Sequence, residues 1–273
     1  MKPQPVALVT GASSGMGKRI AERLIADGYL VYAAARNIDR MADLAQRGVV
    51  PLRMDISKDE DIVAAVAAII ERSGGVDVLV NNAGYGLYGP VEEIPLDEAR
   101  YQFEVNVFGA ARLTQLLLPS MRARRSGTIV NITSMGGKIY TLLGAWYHAT
   151  KHALEGWSDS LRLEVEPFGV RVVVIEPGLI ETGFGDAASN GLLERSGRGP
   201  YARMAEGVAR SMNRSYGRGR GTDPKVIADV VGDAVKARRP RTRYAAGRYA
   251  KMMIGVRKWL GDRAFDRLIR SQM

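Results

Sequence analysis

Cysteine is absent from this 273-residue chain. Disulfides, thiolate metal sites and cysteine nucleophiles are therefore excluded. Histidine is nearly absent. His148 and His152 are too few for a zinc site unless carboxylates complete it, so no metal is expected. No stretch approaches the roughly 18 uncharged apolar residues that a membrane span needs, and no signal-peptide pattern precedes the first strand-like segment. The cytoplasm is the expected address. Acidic residues run short in one region only. From Glu194 onward there are 20 Lys and Arg against 7 Asp and Glu, whereas the rest of the chain holds 19 against 22. Such a basic tail suits nucleic acid, an anionic membrane surface or an acidic ligand, and equally a solvated helical face.

What is present is ordinary for a globular protein, with 46% hydrophobic and 25% charged residues. The first 180 residues alternate short β-branched runs with longer amphipathic stretches, which reads as βαβ units and a parallel sheet. Strands are predicted at Val6–Thr10, Leu30–Ala35, Val50–Met54, Val76–Val80, Thr128–Thr133 and Val170–Glu176. Most are almost continuously apolar, as strands covered on both faces must be. Helices are predicted near 16–27, 38–47, 58–73, 97–125 and 148–167, with Ser57 and Glu60 as a capping box for the third. Residues 183–200 and the Arg/Gly run Gly217–Gly221 read as mobile loops around a helix near 201–214. A helix at 224–237, a short strand at 243–247 and a basic helix at 249–270 complete the chain. With no repeat and no compositional break, residues 1–273 form one α/β domain with a doubly wound parallel sheet. Its 183–220 region is a substrate loop or lid, and 249–273 is a helical extension.

Gly11, Ser13, Ser14, Gly15, Met16 and Gly17 follow the first strand and open the first helix. Glycines in this G-x-x-x-G-x-G spacing permit a tight turn and close approach of backbone N–H groups to a ligand. The helix start adds unpaired N–H groups and a positive dipole end, which suits a pyrophosphate. The second strand ends in Ala33-Ala34-Ala35-Arg36-Asn37. An acidic residue at that position would take the ribose 2′-hydroxyl of NAD, whereas an Arg accommodates the 2′-phosphate of NADP. NADP(H) is the expected cofactor.

Tyr147 and Lys151 are one helical turn apart and share a face. Free tyrosine titrates too high for efficient acid/base work at neutral pH, and a nearby ammonium together with an oxidised nicotinamide would bring it down. Ser134, thirteen residues before the tyrosine, ends the fifth strand at the edge where open α/β sheets bind ligands, and its hydroxyl can hold a carbonyl oxygen.

These residues, with Asn81-Asn82-Ala83-Gly84, Asn106 and Pro177-Gly178-x-x-x-Thr182, resemble the short-chain dehydrogenase/reductase family over about residues 5–182. The resemblance implies a Rossmann-type fold and hydride transfer at a carbonyl, with Ser134, Tyr147 and Lys151 catalytic. It makes Asn106 a fourth member, binding a water beside Lys151, although a buried helix Asn that satisfies backbone groups has the same sequence signature. It implies further that Asp55 bonds the adenine and Asn82 lies along the adenosine. Gly84 closes that segment, and Ile180 and Thr182 hold the nicotinamide carboxamide. The histidines are packing or surface residues.

Leu87, Tyr88, Ile139, Tyr140, Leu142, Leu143, Trp146 and Phe184 are expected to wall the pocket, favouring a hydrophobic ketone, aldehyde or alcohol over a sugar. The Tyr85-Gly86 and Met135-Gly136-Gly137-Lys138 segments resemble the branch of steroid and retinol dehydrogenases. A homo-oligomer is expected, with no nucleic acid. The 249–270 helix meets a membrane surface, a neighbouring subunit or its own domain. Two other readings are a non-catalytic NADPH-binding regulator and a nucleic-acid or membrane-surface binder that uses the basic tail.

Overall fold

The computed structural model describes residues 4–216 and 219–271. The β-branched runs form seven strands: β1 Val6–Thr10, β2 Leu30–Ala35, β3 Val50–Arg53, β4 Val78–Asn81, β5 Gly127–Ile132, β6 Val170–Pro177 and β7 Arg243–Ala246. They lie in the order β3-β2-β1-β4-β5-β6-β7, and every neighbouring pair is parallel. Helices are α1 Gly15–Ala26, α2 Ala42–Gln46, α3 Asp59–Ser73, α4 Leu96–Phe103, α5 Gly109–Ala123, α6 Ala145–Val165, α7 Phe184–Ser196, α8 Ala202–Tyr216, α9 Lys225–Lys236, α10 Ala250–Trp259 and α11 Asp262–Arg270. Alternate residues of the central strands feed two separate cores. Val9 and Val80 pack with Ile20 and Leu24 of α1 and Val231 of α9, while Leu8 and Leu79 pack with Ile69 of α3, Leu117 of α5 and Leu161 of α6. A doubly wound sheet follows, with its direction of winding reversed between β1 and β4. The carboxyl ends of those two strands flank a crevice, the usual ligand position in such sheets. Among the described residues no helix is long and apolar enough to cross a membrane.

Four local expectations need correction. Ser57 caps nothing: Lys58 takes the N-cap position, and the Ser57 hydroxyl donates to Asp55 Oδ1 at 2.8 Å. Residues 38–47 are a 3-10 turn at Asp39–Met41 followed by the short α2. Much of the 183–200 segment is helix rather than loop, because Ala188 and Leu192 bury one face of α7 against Ala205 and Val208 of α8. Packing there overrides the weak helix propensity of its Gly, Ser and Asn residues. The basic tail is two helices, broken where Leu260 turns extended before Gly261. In the Arg/Gly run, Gly217 and Arg218 lie outside the described residues.

Candidate active site

At the crevice, Gly11 and Gly15 adopt positive φ (66° and 54°), which L side chains resist. A Cβ on Gly17 would come within 2.4 Å of the Gly11 carbonyl oxygen, so only glycine lets α1 approach its own loop this closely. Ser14 precedes α1 in extended conformation and its side chain caps nothing, leaving first-turn N–H groups for a ligand. Asn82 fastens the loop to β4 by donating to the Thr10 carbonyl at 2.9 Å. Its own Oδ1 is buried without a partner, a lone acceptor beside the cradle. A glycine cradle with an unanswered amide oxygen fits a dinucleotide.

Arg36 is exposed at the end of β2. It lies near Asp55, whose carboxyl is raised by burial but brought below its ordinary value by the Ser57 backbone and hydroxyl bonds and by Arg36. Two polar side chains, Lys18 and Asn37, are committed to other partners. Lys18 pairs with Asp43 at 2.7 Å, and Asn37 accepts the Asp39 N–H at 3.0 Å. Ile180 is buried and bridged to Thr222. Thr182 reaches back to the glycine loop, where a Cβ on Gly15 would stand 3.2 Å from its methyl. Gly84 is hemmed in likewise: a Cβ there would lie 3.1 Å from Asn106 Oδ1 and 3.7 Å from Lys151 Nζ.

Tyr147 and Lys151 both point inward from α6, 8% and 6% exposed. Lys151 Nζ donates to the Ile132 carbonyl at the end of β5, 3.0 Å away. Two residues on, the Ser134 hydroxyl accepts the Gly136 N–H at 2.9 Å and lines the same cavity as the Tyr147 phenol. Burial pushes Tyr147 up to about 12, with only Ser134 opposing. Burial pushes Lys151 down to about 8, against the pull of Glu155. The spacing therefore assembles Ser134, Tyr147 and Lys151 in one place; the lowering of the phenol was expected of the ammonium and an oxidised nicotinamide together, and the lysine by itself does not produce it. Asn106 sits in a π-helical turn, Glu104–Phe108, where α4 passes into α5. Its amide brackets Tyr85, accepting from its N–H at 3.0 Å and donating to its carbonyl at 2.9 Å, and donates to Thr150 Oγ1 at 3.0 Å. These bonds satisfy the Tyr85 backbone and the Thr150 hydroxyl.

Two residues gain parts that their types alone did not suggest. His148 Nε2 accepts the Thr141 N–H at 3.0 Å, so its proton sits on Nδ1 and is donated to the Gly136 carbonyl at 2.9 Å. The ring is a neutral strut between two pocket loops, and burial lowers it to about 4. Glu155 lies one turn beyond Lys151 and is 3% exposed. It accepts from Thr133 at 2.6 Å and Arg243 at 3.0 Å and pairs with Lys138 at 2.9 Å. Its place four residues along the Tyr147–Lys151 stripe was the available signal.

Ser134 and Tyr147 open onto a cavity of about 690 Å³. Tyr88, Ile139 and Leu142 line it as expected. Leu87 and Trp146 do not, being packed with Ile94 and Ala99. Tyr140 stacks edge-on against Phe265, 5.1 Å between ring centroids, and Phe184 lies over Tyr147 at 5.4 Å with Leu143 in the same cluster. The far wall comes instead from α8 and the tail, through Val208, Met212, Met252, Met253 and Ile269. Val208 and Met212 fall in the 183–220 region expected at the pocket, whereas Met252, Met253 and Ile269 were missed because they lie far along the chain from β4 and β5. Arg214, exposed at the end of α8, also borders the cavity.

Comparison with known proteins gives a consistent result. The family described as short chain dehydrogenase matches residues 5–192. A 3-ketodihydrosphingosine reductase of Bacteroides thetaiotaomicron is 33% identical over 99% of this chain and 98% of its own. The NADPH-dependent 3-dehydrocapnine reductase of Ornithobacterium rhinotracheale is 31% identical over 96% and 95%, and estradiol 17-beta-dehydrogenase 1 of Rattus norvegicus is 34% identical over 88% and 72%. Among solved structures, a short-chain dehydrogenase from Streptomyces avermitilis superposes with TM-score 0.81 at 36% identity, covering 99% of both chains. A serine dehydrogenase complexed with NADP+ (TM-score 0.77, 26% identity, 89% and 94% covered) is similar, as is a Burkholderia phymatum enzyme in complex with NAD (0.76, 26%, 88% and 88%).

Proposed function

This chain belongs to the short-chain dehydrogenase family and is an oxidoreductase; on that premise we propose that it uses NADPH to reduce a lipophilic ketone or aldehyde to its alcohol. The observation that carries this reading is the cavity, which sets the Ser134 and Tyr147 hydroxyls beside an apolar stretch formed by Ile139, Leu142, Val208, Met212, Met253 and Ile269, with Ser211, Arg214, Ser215 and Ser271 also on its wall. The apolar stretch suits an apolar body whose one reactive oxygen meets the two hydroxyls.

The dinucleotide would be held by the Gly11, Ser13, Ser14, Gly15, Met16 and Gly17 loop, by Asn82 and Gly84, by Asp55 at the adenine and by Ile180 and Thr182 at the nicotinamide. Arg36, with no carboxylate at the end of β2, supports a 2′-phosphate and hence NADP(H); the relatives include structures with either dinucleotide. Bound, the nicotinamide supplies the hydride that the carbonyl carbon takes. The Ser134 hydroxyl donates to the carbonyl oxygen and orients it. Tyr147, kept protonated by burial, gives its phenolic proton to that oxygen as negative charge develops. The Lys151 ammonium stabilises the phenolate left behind and approaches the nicotinamide ribose. Asn106 holds Tyr85 and Thr150, and so sets the floor against which Lys151 lies.

For the substrate, an extended alkyl ketone is favoured over a steroid. The two reductases align with 99% and 96% of this chain, whereas the estradiol dehydrogenase aligns with 88% of it. A homo-oligomer is supported by the apolar side chains that α4, the π turn and α6 leave exposed, Tyr101, Phe108 and Leu163.

NADPH consumption measured over alkyl, steroid and sugar carbonyls tests the proposal. Long-chain ketones should lead, and Tyr147→Phe should abolish turnover with NADPH affinity within a few-fold of the parent. Preference for a sugar, or near-parental turnover by Tyr147→Phe, would overturn it.

A further inference from the structure

The tail that closes the cavity also presents an unusual outer face. Inward, Met253 and Val256 of α10 and Phe265 and Ile269 of α11 pack with Ile139. Outward, Lys251 and Lys258 stand seven residues apart on one stripe of α10, and Met252 and Trp259 stand seven apart on the next. Trp259 is 81% exposed, Met252 53% and Leu260 38%. The Lys258 ammonium lies 5.3 Å from the Trp259 ring centroid. On α11, Arg263, Arg267 and Arg270 share the side opposite Phe265 and Ile269.

The two acids of these helices are spent locally. Asp262 pairs with Arg257 at 2.8 Å, and Asp266 accepts the Tyr140 hydroxyl at 2.9 Å. Among the described residues, Lys251, Lys258, Arg263, Arg267 and Arg270 have no ion pair. The outer face is thus cationic, with a large indole and two aliphatic side chains at its surface. A second copy of the chain fits it poorly, because a two-fold contact would set the same cations against one another. An anionic lipid surface fits both features: acidic headgroups answer the lysines and arginines, and the acyl boundary takes the indole.

The face is continuous with the cavity. Tyr249 and Met252 are exposed on the surface and also line the chamber that ends at Ser134 and Tyr147. We propose that the outer face of α10 and α11 docks on anionic lipid bilayers and admits apolar substrate from them directly into the cavity. The admission of substrate rests on the reading of this site as a reductase of lipophilic ketones; the docking does not.

The test uses the full chain and the variant Lys258→Glu/Trp259→Ser, two exposed residues that border neither cavity nor core. Flotation with phosphatidylcholine vesicles, with and without phosphatidylglycerol, measures partitioning. The parent should bind only the anionic vesicles and be released by salt, and the variant should bind at least about tenfold more weakly. Turnover of a short water-soluble ketone should be equal in the two proteins, whereas a long-chain ketone carried in anionic vesicles should turn over more slowly in the variant. Equal partitioning of the two proteins overturns the docking. So does a self-association that the variant abolishes without any vesicle binding. Equal turnover of the vesicle-borne ketone overturns substrate admission. Normal flotation with no ketone reduced by either protein would instead remove the reductase reading and leave the docking standing.

Discussion

At the scale of single residues, burial governs the chemistry. Tyr147 is raised to about 12 and Lys151 lowered to about 8 because both hold their reactive atoms out of water. A protonated phenol matches the donor that ketone reduction requires. His148 shows the same force in a structural role. Its Nε2 must stay unprotonated to accept the Thr141 N–H. The folded chain therefore resists the proton that the unfolded chain takes at 6.5, down to about 4. The histidine's contribution is fully present above 6.5 and is lost as the pH falls toward 4, amounting to ~3 kcal/mol over that window. Denaturant unfolding of the parent and of His148→Gln across these pH values checks it: the variant should start less stable and show the shallower acid slope. The proposed preference for NADP(H) rests on Arg36. An Arg–phosphate bond contributes about 1.5–3 kcal/mol, so NADPH should exceed NADH in kcat/KM by about tenfold or more. Ala35→Asp with Arg36→Leu should reverse that order in steady-state kinetics, since a carboxylate repels phosphate and accepts the 2′-hydroxyl.

Among the secondary-structure elements, α6 carries the site and β7 clamps it. Arg243 of β7 bonds Glu155 at 3.0 Å and Asp159 at 2.6 Å, both on α6. The arginine is held above its ordinary value chiefly by Asp159, with Glu155 adding to it and burial opposing. Removing one partner of a buried pair strands the other charge. Arg243→Met should therefore cost ~3 kcal/mol and lower Tm by about 10 °C, measured by thermal unfolding. Because Glu155 lies one turn from Lys151 on the same helix, Tyr147-dependent turnover should fall in the folded fraction as well. The π turn at Asn106 is the second such element. It spends one extra residue between α4 and α5 so that an amide reaches Tyr85 and Thr150 together, which an uninterrupted helix would not arrange.

For the molecule as a whole, the basic tail completes the substrate chamber. Phe265 is fully buried against Tyr140, with Arg257 5.4 Å from its ring centroid. Phe265→Ala removes that ring and should cost about 3–5 kcal/mol of stability. It should also loosen the wall formed by Met253 and Ile269, raising KM for a long-chain ketone while leaving that for a short one unchanged. Calorimetry and steady-state kinetics on the two ketones separate the effects.

Local information was enough for much of this protein. Strand runs, the glycine loop, the Tyr147–Lys151 turn and Ser134 at a strand end are short-range patterns, set by the two backbone periodicities and by glycine's freedom at positive φ. From them came the sheet, the family and the gathering of Ser134, Tyr147 and Lys151 in one place. Where the sequence reading failed, the deciding contact was one that periodicity and composition do not show. α7 is helical because α8 covers it, although its composition resembles a loop. Ser57 is drawn away from its helix by Asp55, two residues back. Trp146 and Leu87, apolar and close in sequence to the site, turn to another core, while Met253 and Ile269 arrive from the tail to wall the cavity. Periodicity tells which face of an element is buried; only tertiary packing tells what buries it.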